Sequence, residues 1–275
     1  MTRIKLGKLG VVLGLLVSCL IFLGPFLILL SIALQPPTAN LFTFPPQLIP
    51  RPLNLSIFPE VLRVFSFFTY VKNSLWVSAA TVFLQAIVVP MAGYGFARKK
   101  FPLREVLFLL VLATVMIPQQ ITLIPLFSVF RRIGLLDTHT ALILPWVVAP
   151  FSVFIMRQAF ITLPGDFEDA ARIDGCSEFG LYWRIMLPLV KPAVVTISIF
   201  AFVQQWNELL WPVVLLKTPD LYTLPLGLTT LDSAFYGGWR QSAAGAVLGI
   251  IPTIIVFLLG QKHFVRGIAS GGIKG

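Results

Sequence analysis

Six stretches of about 20 mostly apolar residues, the length a helix needs to cross a bilayer, divide this chain: Val11 to Leu34, Leu75 to Phe96, Val106 to Phe130, Ala141 to Phe160, Ala193 to Leu215 and Ala243 to Phe264. Inside hydrocarbon no water is available to the backbone, so each stretch must form a helix that satisfies its own N–H and C=O groups. The remaining composition offers no aqueous alternative. Only 12% of the residues are charged and 57% are hydrophobic, with a mean hydropathy of +0.90. A soluble domain carries about a quarter charged residues. The predicted fold class is an all-α membrane protein with six transmembrane helices in a single domain over residues 1–275.

The first stretch follows Arg3, Lys5 and Lys8, and Ser31-Ile32-Ala33 loosely resembles a cleavage site. Its apolar run exceeds the roughly 7–15 residues of a secretory signal core, so it reads as an uncleaved span. Orientation follows from the cations. Arg3, Lys5, Lys8, Arg98, Lys99, Lys100, Arg104, Arg157, Arg172, Arg184, Lys191, Lys262, Arg266 and Lys274 fall on one side, and Arg51, Arg63, Lys72, Arg131, Arg132, Lys217 and Arg240 on the other. The richer side is cytoplasmic by the positive-inside rule. The chain therefore reads as a multi-pass membrane protein, in contact with membrane lipid and with both termini in the cytoplasm.

The net charge of +10 is scattered between apolar runs and forms no continuous basic face, which argues against nucleic acid as a partner. Cys19 lies in a span and Cys176 in a predicted cytoplasmic loop, so a disulfide between them is not expected. His139 and His263 are far apart with no ligand at metal-site spacing, and no metal or other cofactor of its own is expected. Prolines at 25, 90, 118, 125, 145, 150, 212 and 252 each remove a helical hydrogen bond. They read either as ordinary kinks or as hinges. The stretch from Gln35 to Val71, rich in Pro and aromatic residues, is expected to pack on the outer surface.

Residues 163–192 form a cytoplasmic connection much longer than joining two spans requires. Asp166 is placed to cap a helix starting at Phe167, with Asp169 at its third position as in a capping box, and Gly175 is its natural stop. Ser177 can cap a second helix, ended by Pro188, on which Phe179, Tyr182, Trp183 and Met186 recur at i, i+3, i+4 and i+7. This aromatic face either packs on the chain's own spans or docks a cytoplasmic partner, in the helix-in-groove mode. Asp174, at the negative end of the first helix, calls for a donor such as an Arg in the loop or on a partner.

The spacing of Asp169-Ala170-Ala171, three residues, Gly175, nine residues, Ile185, one residue and Leu187-Pro188 resembles the EAA loop of permease subunits of binding-protein-dependent ABC importers. MIPQQITLIPLF (116–127), GLLDTHTALILP (134–145), WNELLWP (206–212) and the terminal GGIKG are similar to the carbohydrate-uptake, maltose-permease-like subfamily. One departure is Asp169, where the family usually has Glu. The resemblance implies a single permease domain that transports a mono- or oligosaccharide, or a related polyol or glycerol phosphate. It also implies four kinds of contact: a second homologous permease in a heterodimer, two ATPase subunits, an extracytoplasmic sugar-binding protein and lipid. The loop would be the two-helix coupling element to the ATPase, through Glu168, Asp169, Ala170, Ala171, Asp174, Gly175, Phe179, Tyr182 and Trp183. ATP would be used by the partner subunit, in keeping with the lack of a G-x-x-x-x-G-K-[ST] phosphate loop here.

Polar side chains at membrane depth are candidates for lining a path, or for bridging helices. Asn73, Gln85, Tyr94, Gln119, Gln120, Gln204, Gln205, Asn207 and Glu208 qualify by position, and Gln119, Gln120, Gln204, Gln205 and Asn207 are the pathway candidates. Amides and aromatics suit a sugar's hydroxyls and ring faces. An ion-coupled secondary transporter, the alternative reading, accounts for the spans but not for the elaborate loop. An intramembrane enzyme lacks any catalytic constellation.

Overall fold

The structure, a computed structural model, describes residues 2–39, 41, 49–64, 66–234 and 238–272, with side chains outside that description at 2–9, 64, 232–234 and 260–272. The described residues contain helices and no strand. In chain order they are α1 (Thr2–Leu34), α2 (Ile57–Val64), α3 (Phe67–Arg98), α4 (Arg104–Ala113), α5 (Gln119–Arg132), α6 (His139–Ile143), α7 (Pro150–Ile161), α8 (Asp166–Ile173), α9 (Glu178–Gly180), α10 (Leu187–Leu189), α11 (Lys191–Trp206), α12 (Leu210–Leu215), α13 (Leu224–Ala234) and α14 (Trp239–Gly272). A π turn, Leu181–Met186, joins α9 to α10. Residues 40, 42–48 and 65 of the predicted outer stretch, and the end of the GGIKG motif, lie outside the described residues.

The chain divides into two compact units, Met1–Phe68 with Gly227–Ile251, and Thr69–Leu226 with Pro252–Gly275. In the first, α1 exposes its apolar side chains from Val11 to Leu30, whereas Ala33, Ile57 and Val61 are buried. That exposure is what a lipid solvent requires of a span. In the second unit, α3 and α7 approach so closely that a Cβ on Gly93 would lie 2.5 Å from Met156 Cβ and 3.0 Å from the Arg157 backbone nitrogen. Small residues permit this kind of crossing in membranes. Gly93→Val is therefore expected to destabilise the protein by about 1–3 kcal/mol through overpacking. A thermal unfolding midpoint in detergent equal to wild type would contradict it.

Among the described residues, three helices are long and apolar enough to span a membrane by themselves, within Gly10–Leu34, Phe67–Arg98 and Trp239–Leu259, and bent pairs raise the number to as many as six. The third predicted span is broken by 101° between Arg104–Met116 and Gln119–Arg132, and the fourth by 42° between His139–Trp146 and Pro150–Ile161. The prolines explain both. Ile117 (φ −84°, ψ 116°) and Ala149 (φ −94°, ψ 110°) are extended, the conformation imposed on a residue before proline. Pro25, Pro90, Pro125 and Pro252 instead sit inside continuous helices. The fifth predicted span, Ala193 to Leu215, is two helices, α11 and α12, separated at 207–209. The segment Glu178–Leu189, expected outside the bilayer, meets α11 at 77° and is apolar enough to count with it as a bent pair.

Freed carbonyls at these breaks find amide donors. Gln85 Nε2 on α3 donates to the Trp146 carbonyl at 2.6 Å, and Gln205 Nε2 on α11 to the Leu142 carbonyl at 3.4 Å. Away from the breaks, Asn73 Nδ2 donates to the carbonyls of Asp220 (2.8 Å) and Tyr222 (2.9 Å) in the turn before α13. These buried amides act as helix glue.

Candidate functional site: the two-helix loop

The loop begins where α7 ends and is built by local rules. α8 starts one residue earlier than expected, at Asp166, and Gly165 stands at the N-cap with no side-chain bond. Its carbonyl accepts from Glu168 N (2.8 Å) and Asp169 N (3.2 Å), so the turn closes through the backbone and the expected Asp166 cap is not formed. The other end follows expectation. Gly175 has φ +74°, Cys176 N donates to Ala171 O (2.9 Å) and Gly175 N to Arg172 O (3.1 Å). These are the two bonds of a Schellman motif. Ser177 caps the next helix as expected, its Oγ accepting from Gly180 N at 3.1 Å.

The second helix departs from expectation in two ways. Pro188 does not end it; the chain stays helical to Leu189 and turns at Val190. Pro188 has no N–H to offer, and the widened π turn immediately precedes it, so the missing bond is absorbed without a break. The widened turn also rotates the aromatic positions apart. Phe179 is 71% exposed, Tyr182 is 5% exposed and Met186 is fully buried, so they do not share one face. The Tyr182 ring lies 5.2 Å from Tyr94 and 6.5 Å from Phe160 (centroids), and Trp183 stacks edge-on to Tyr182 at 5.1 Å while contacting Phe179 at 6.0 Å. Ala171, Leu181, Tyr182 and Met186 thus join Val89, Phe108, Val153 and Ile197 in one core. For Tyr182 the packing alternative holds, and Ala170, Ile173, Phe167 and Phe179 remain exposed.

Charges tie this loop to the end of α3. Arg98 donates to the Leu163 carbonyl and lies 3.8 Å from the buried Glu168. Lys99 bonds Glu178 while sitting 5.1 Å from the Tyr94 ring centroid. Arg172 completes the chain of charges, reaching Glu178 (3.2 Å), Asp169 (3.4 Å) and Glu168 (3.6 Å). Asp169 is left largely exposed. Asp174 is exposed as well, and the expected loop arginine is turned to these other carboxylates rather than to it. Arg98, Lys99 and Glu178 were absent from the sequence-derived site because Arg98 and Lys99 register in the sequence only as topology charges.

Hydrogen bonds from Lys99 and then Arg172 hold the Glu178 carboxyl below the usual range. A lowered folded value means that its contribution is complete above an ordinary Glu pKa, about 4.3, and is lost as pH falls through the folded value. Stability is accordingly expected to be flat in this respect near neutrality, with Glu178→Gln removing part of the acid-side decline. Superimposable thermal midpoints of the two proteins from pH 7 to pH 3 would count against this bridge.

The pathway candidates separate into two groups. Gln119 and Gln120 are exposed in the first turn of α5, just past the 101° bend, and Gln204 and Asn207 are exposed at the end of α11. Asn207 Nδ2 donates to Val203 O (2.7 Å), and Glu208 Oε1 accepts from Trp211 N (3.2 Å), so the WNELLWP motif closes one helix and opens the next. An open groove of about 430 Å³ is lined by Gln120, Leu123, Ile124, Phe127 and Val214. Gln205, in contrast, is buried and its amide is committed to Leu142. Tyr94 is enclosed in the aromatic core.

Residues 89–270 match the family described as the binding-protein-dependent transport system inner membrane component. The chain is 36% identical over 278 residues to the arabinooligosaccharides transport system permease protein AraQ of Bacillus subtilis (strain 168), covering 98% of this chain and 96% of that one. It is 42% identical over 209 residues to the AraQ protein of Halalkalibacterium halodurans, 76% of this chain and 75% of the relative. A crystal structure of a bacterial ABC transporter involved in the import of the acidic polysaccharide alginate includes a chain with TM-score 0.78 and 24% identity, covering 96% of this chain and 98% of that one.

Proposed function

The chain belongs to the family of binding-protein-dependent transport system inner membrane components, and from that premise we propose that it is the permease subunit of an ATP-driven sugar importer. It forms half of the translocation pathway and has no ATPase site of its own. Its cargo is a mono- or oligosaccharide, or a related polyol or glycerol phosphate, in keeping with the arabinooligosaccharide relatives. The other half is a second homologous permease. Two ATPase subunits and an extracytoplasmic sugar-binding protein complete the complex, which sits in a bacterial or archaeal cytoplasmic membrane.

The observation that carries this reading is the two-helix loop. Its inner face is locked to α3 and the core, and its outer surface presents Phe167, Ile173 and Phe179 with the exposed Asp169. A rigid element with an apolar outer surface suits a groove on a separate ATPase, through which nucleotide-driven motion reaches the spans. Glu168, Ala171, Tyr182 and Trp183 then support the contact, and Asp169, Ala170, Asp174, Gly175 and Phe179 stand at or beside it. Ion-coupled secondary transport gives such a loop no task. Gln119, Gln120, Gln204 and Asn207 become the path candidates, where broken helices line a cavity.

On this reading both termini and Gly175 face the cytoplasm; labelling from outside sealed cells that reaches cysteines introduced near Gly175 would reverse that orientation. The functional test is co-purification from the native membrane followed by reconstitution with the subunits recovered. Sugar uptake that needs internal ATP and the binding protein is the expected result. Uptake driven by an ion gradient without ATP would overturn the proposal.

A further inference from the structure

We propose that the junction of α3 and α4 holds a site for the headgroup of an anionic phospholipid of the leaflet it faces. This goes beyond the transport reading. The cations at the end of α3 and in the five residues that follow it divide between two directions. Arg98 and Lys99 are committed to the two-helix loop through Leu163, Glu168 and Glu178. Lys100 is exposed and makes no ion pair among the described residues. With Phe101, Leu103, Arg104, Glu105 and Val106 it lines an open pocket of about 420 Å³.

The charge of that pocket is net positive despite its one acid. Arg104 Nη2 lies 2.8 Å from Glu105 Oε1 and its Nη1 donates to the Lys99 carbonyl at 3.2 Å. The same Glu105 carboxylate is gripped by Arg157 at 2.9 and 3.1 Å. One carboxylate thus serves two guanidinium groups, and Lys100 is left over. The rim is apolar: Leu103 is 69% exposed, Val106 51% and Phe101 38%. Leu103 also holds φ +61°, a left-handed conformation that is unfavourable for a residue with a Cβ. An exposed leucine gains nothing in water from that conformation, but beside acyl chains its side chain is in its preferred solvent.

Location selects the occupant. α3 is a candidate span and α4 the first half of another, so their junction falls where headgroups lie. Basic pockets between transmembrane helices on the cytoplasmic side suit anionic headgroups. The apolar rim would add nothing to the binding of free phosphate, so the lipid is the occupant the chemistry fits. Because Lys99 and Lys100 are adjacent, such a lipid would sit directly behind the link from α3 to the loop.

The probe is phosphatidylglycerol, titrated into the detergent-solubilised full-length chain with its co-purifying subunits and followed by native mass spectrometry, with phosphatidylcholine as the neutral comparison. Phosphatidylglycerol is expected to bind more tightly than phosphatidylcholine, and Lys100→Gln to weaken it about fivefold, the scale of one basic residue at a membrane surface. Lys100→Gln/Arg104→Gln should weaken it further, while Lys217→Gln leaves it unchanged. Lys100 makes no internal bond that folding needs, which keeps the single variant informative. Equal binding of the two lipids, an unaffected Lys100→Gln variant, or full displacement by equimolar inorganic phosphate would each overturn the proposal.

Discussion

Gly175→Val is expected to reduce sugar uptake at least tenfold while leaving membrane abundance and pairing with the second permease near wild type. The reason is conformational rather than steric. Gly175 holds φ +74°, and nothing lies within 4 Å of where its Cβ would be. A residue with a Cβ loses about 1–2 kcal/mol in the left-handed region, and a β-branched one is the worst placed there. The loop relieves this by abandoning the Schellman bonds from Cys176 and Gly175 to Ala171 and Arg172. α8 then ends at a different angle to the helix that follows, and Phe167 and Ile173 are displaced relative to Phe179. Gly175→Asn, which tolerates positive φ, should retain most of the uptake. Paired measurement of uptake and membrane abundance decides the matter: wild-type uptake in the valine variant would remove the turn from the coupling mechanism.

Arg98→Glu should have the second large effect. The Arg98 side chain is 15% exposed and that of Glu168 10%, and uncoupling a buried pair by removing one partner costs about 3–5 kcal/mol. The separation of 3.8 Å is long for a direct bond, so the lower end of that range applies. The reversed charge also abandons the Leu163 carbonyl and repels Glu168. Stimulation of the ATPase should fall more than tenfold, with faster amide exchange across residues 166–190. The double exchange Arg98→Glu/Glu168→Arg should recover part of both, because it restores the pair but not the bond to Leu163. If the double variant were no better than the single one, the electrostatic link would not be what positions the loop.

Much of this architecture could be read before any coordinates. Long apolar runs require helices in any solvent that cannot bond the backbone, so the presence and number of the spans followed from composition and spacing. Gly175 and Ser177 were legible for the same reason: a left-handed stop and a side-chain cap are satisfied within a few residues. Asp166 was misassigned as a cap because the Gly165 carbonyl takes up two amides by itself, a competition between neighbouring groups that residue type does not reveal. The pathway amides were legible only as a set. Whether an amide faces a path or another helix depends on which carbonyls it meets, and Gln205 differs from Gln204 in reaching the Leu142 carbonyl.

Residue type and spacing were enough for whatever is satisfied locally: the membrane as solvent, the all-helical class, and the turn between the loop's helices. Tertiary structure alone decided which prolines break a span, since the residue before Pro90 stays helical while Ile117 does not. It also decided the inward burial of Tyr182 by a π turn, the approach of α3 to α7 at Gly93, and the pairing of Arg98 and Lys99 with a loop some 65 to 79 residues away in sequence. These depend on partners distant in the chain, and their energies belong to pairs of surfaces brought together rather than to any residue or its neighbours.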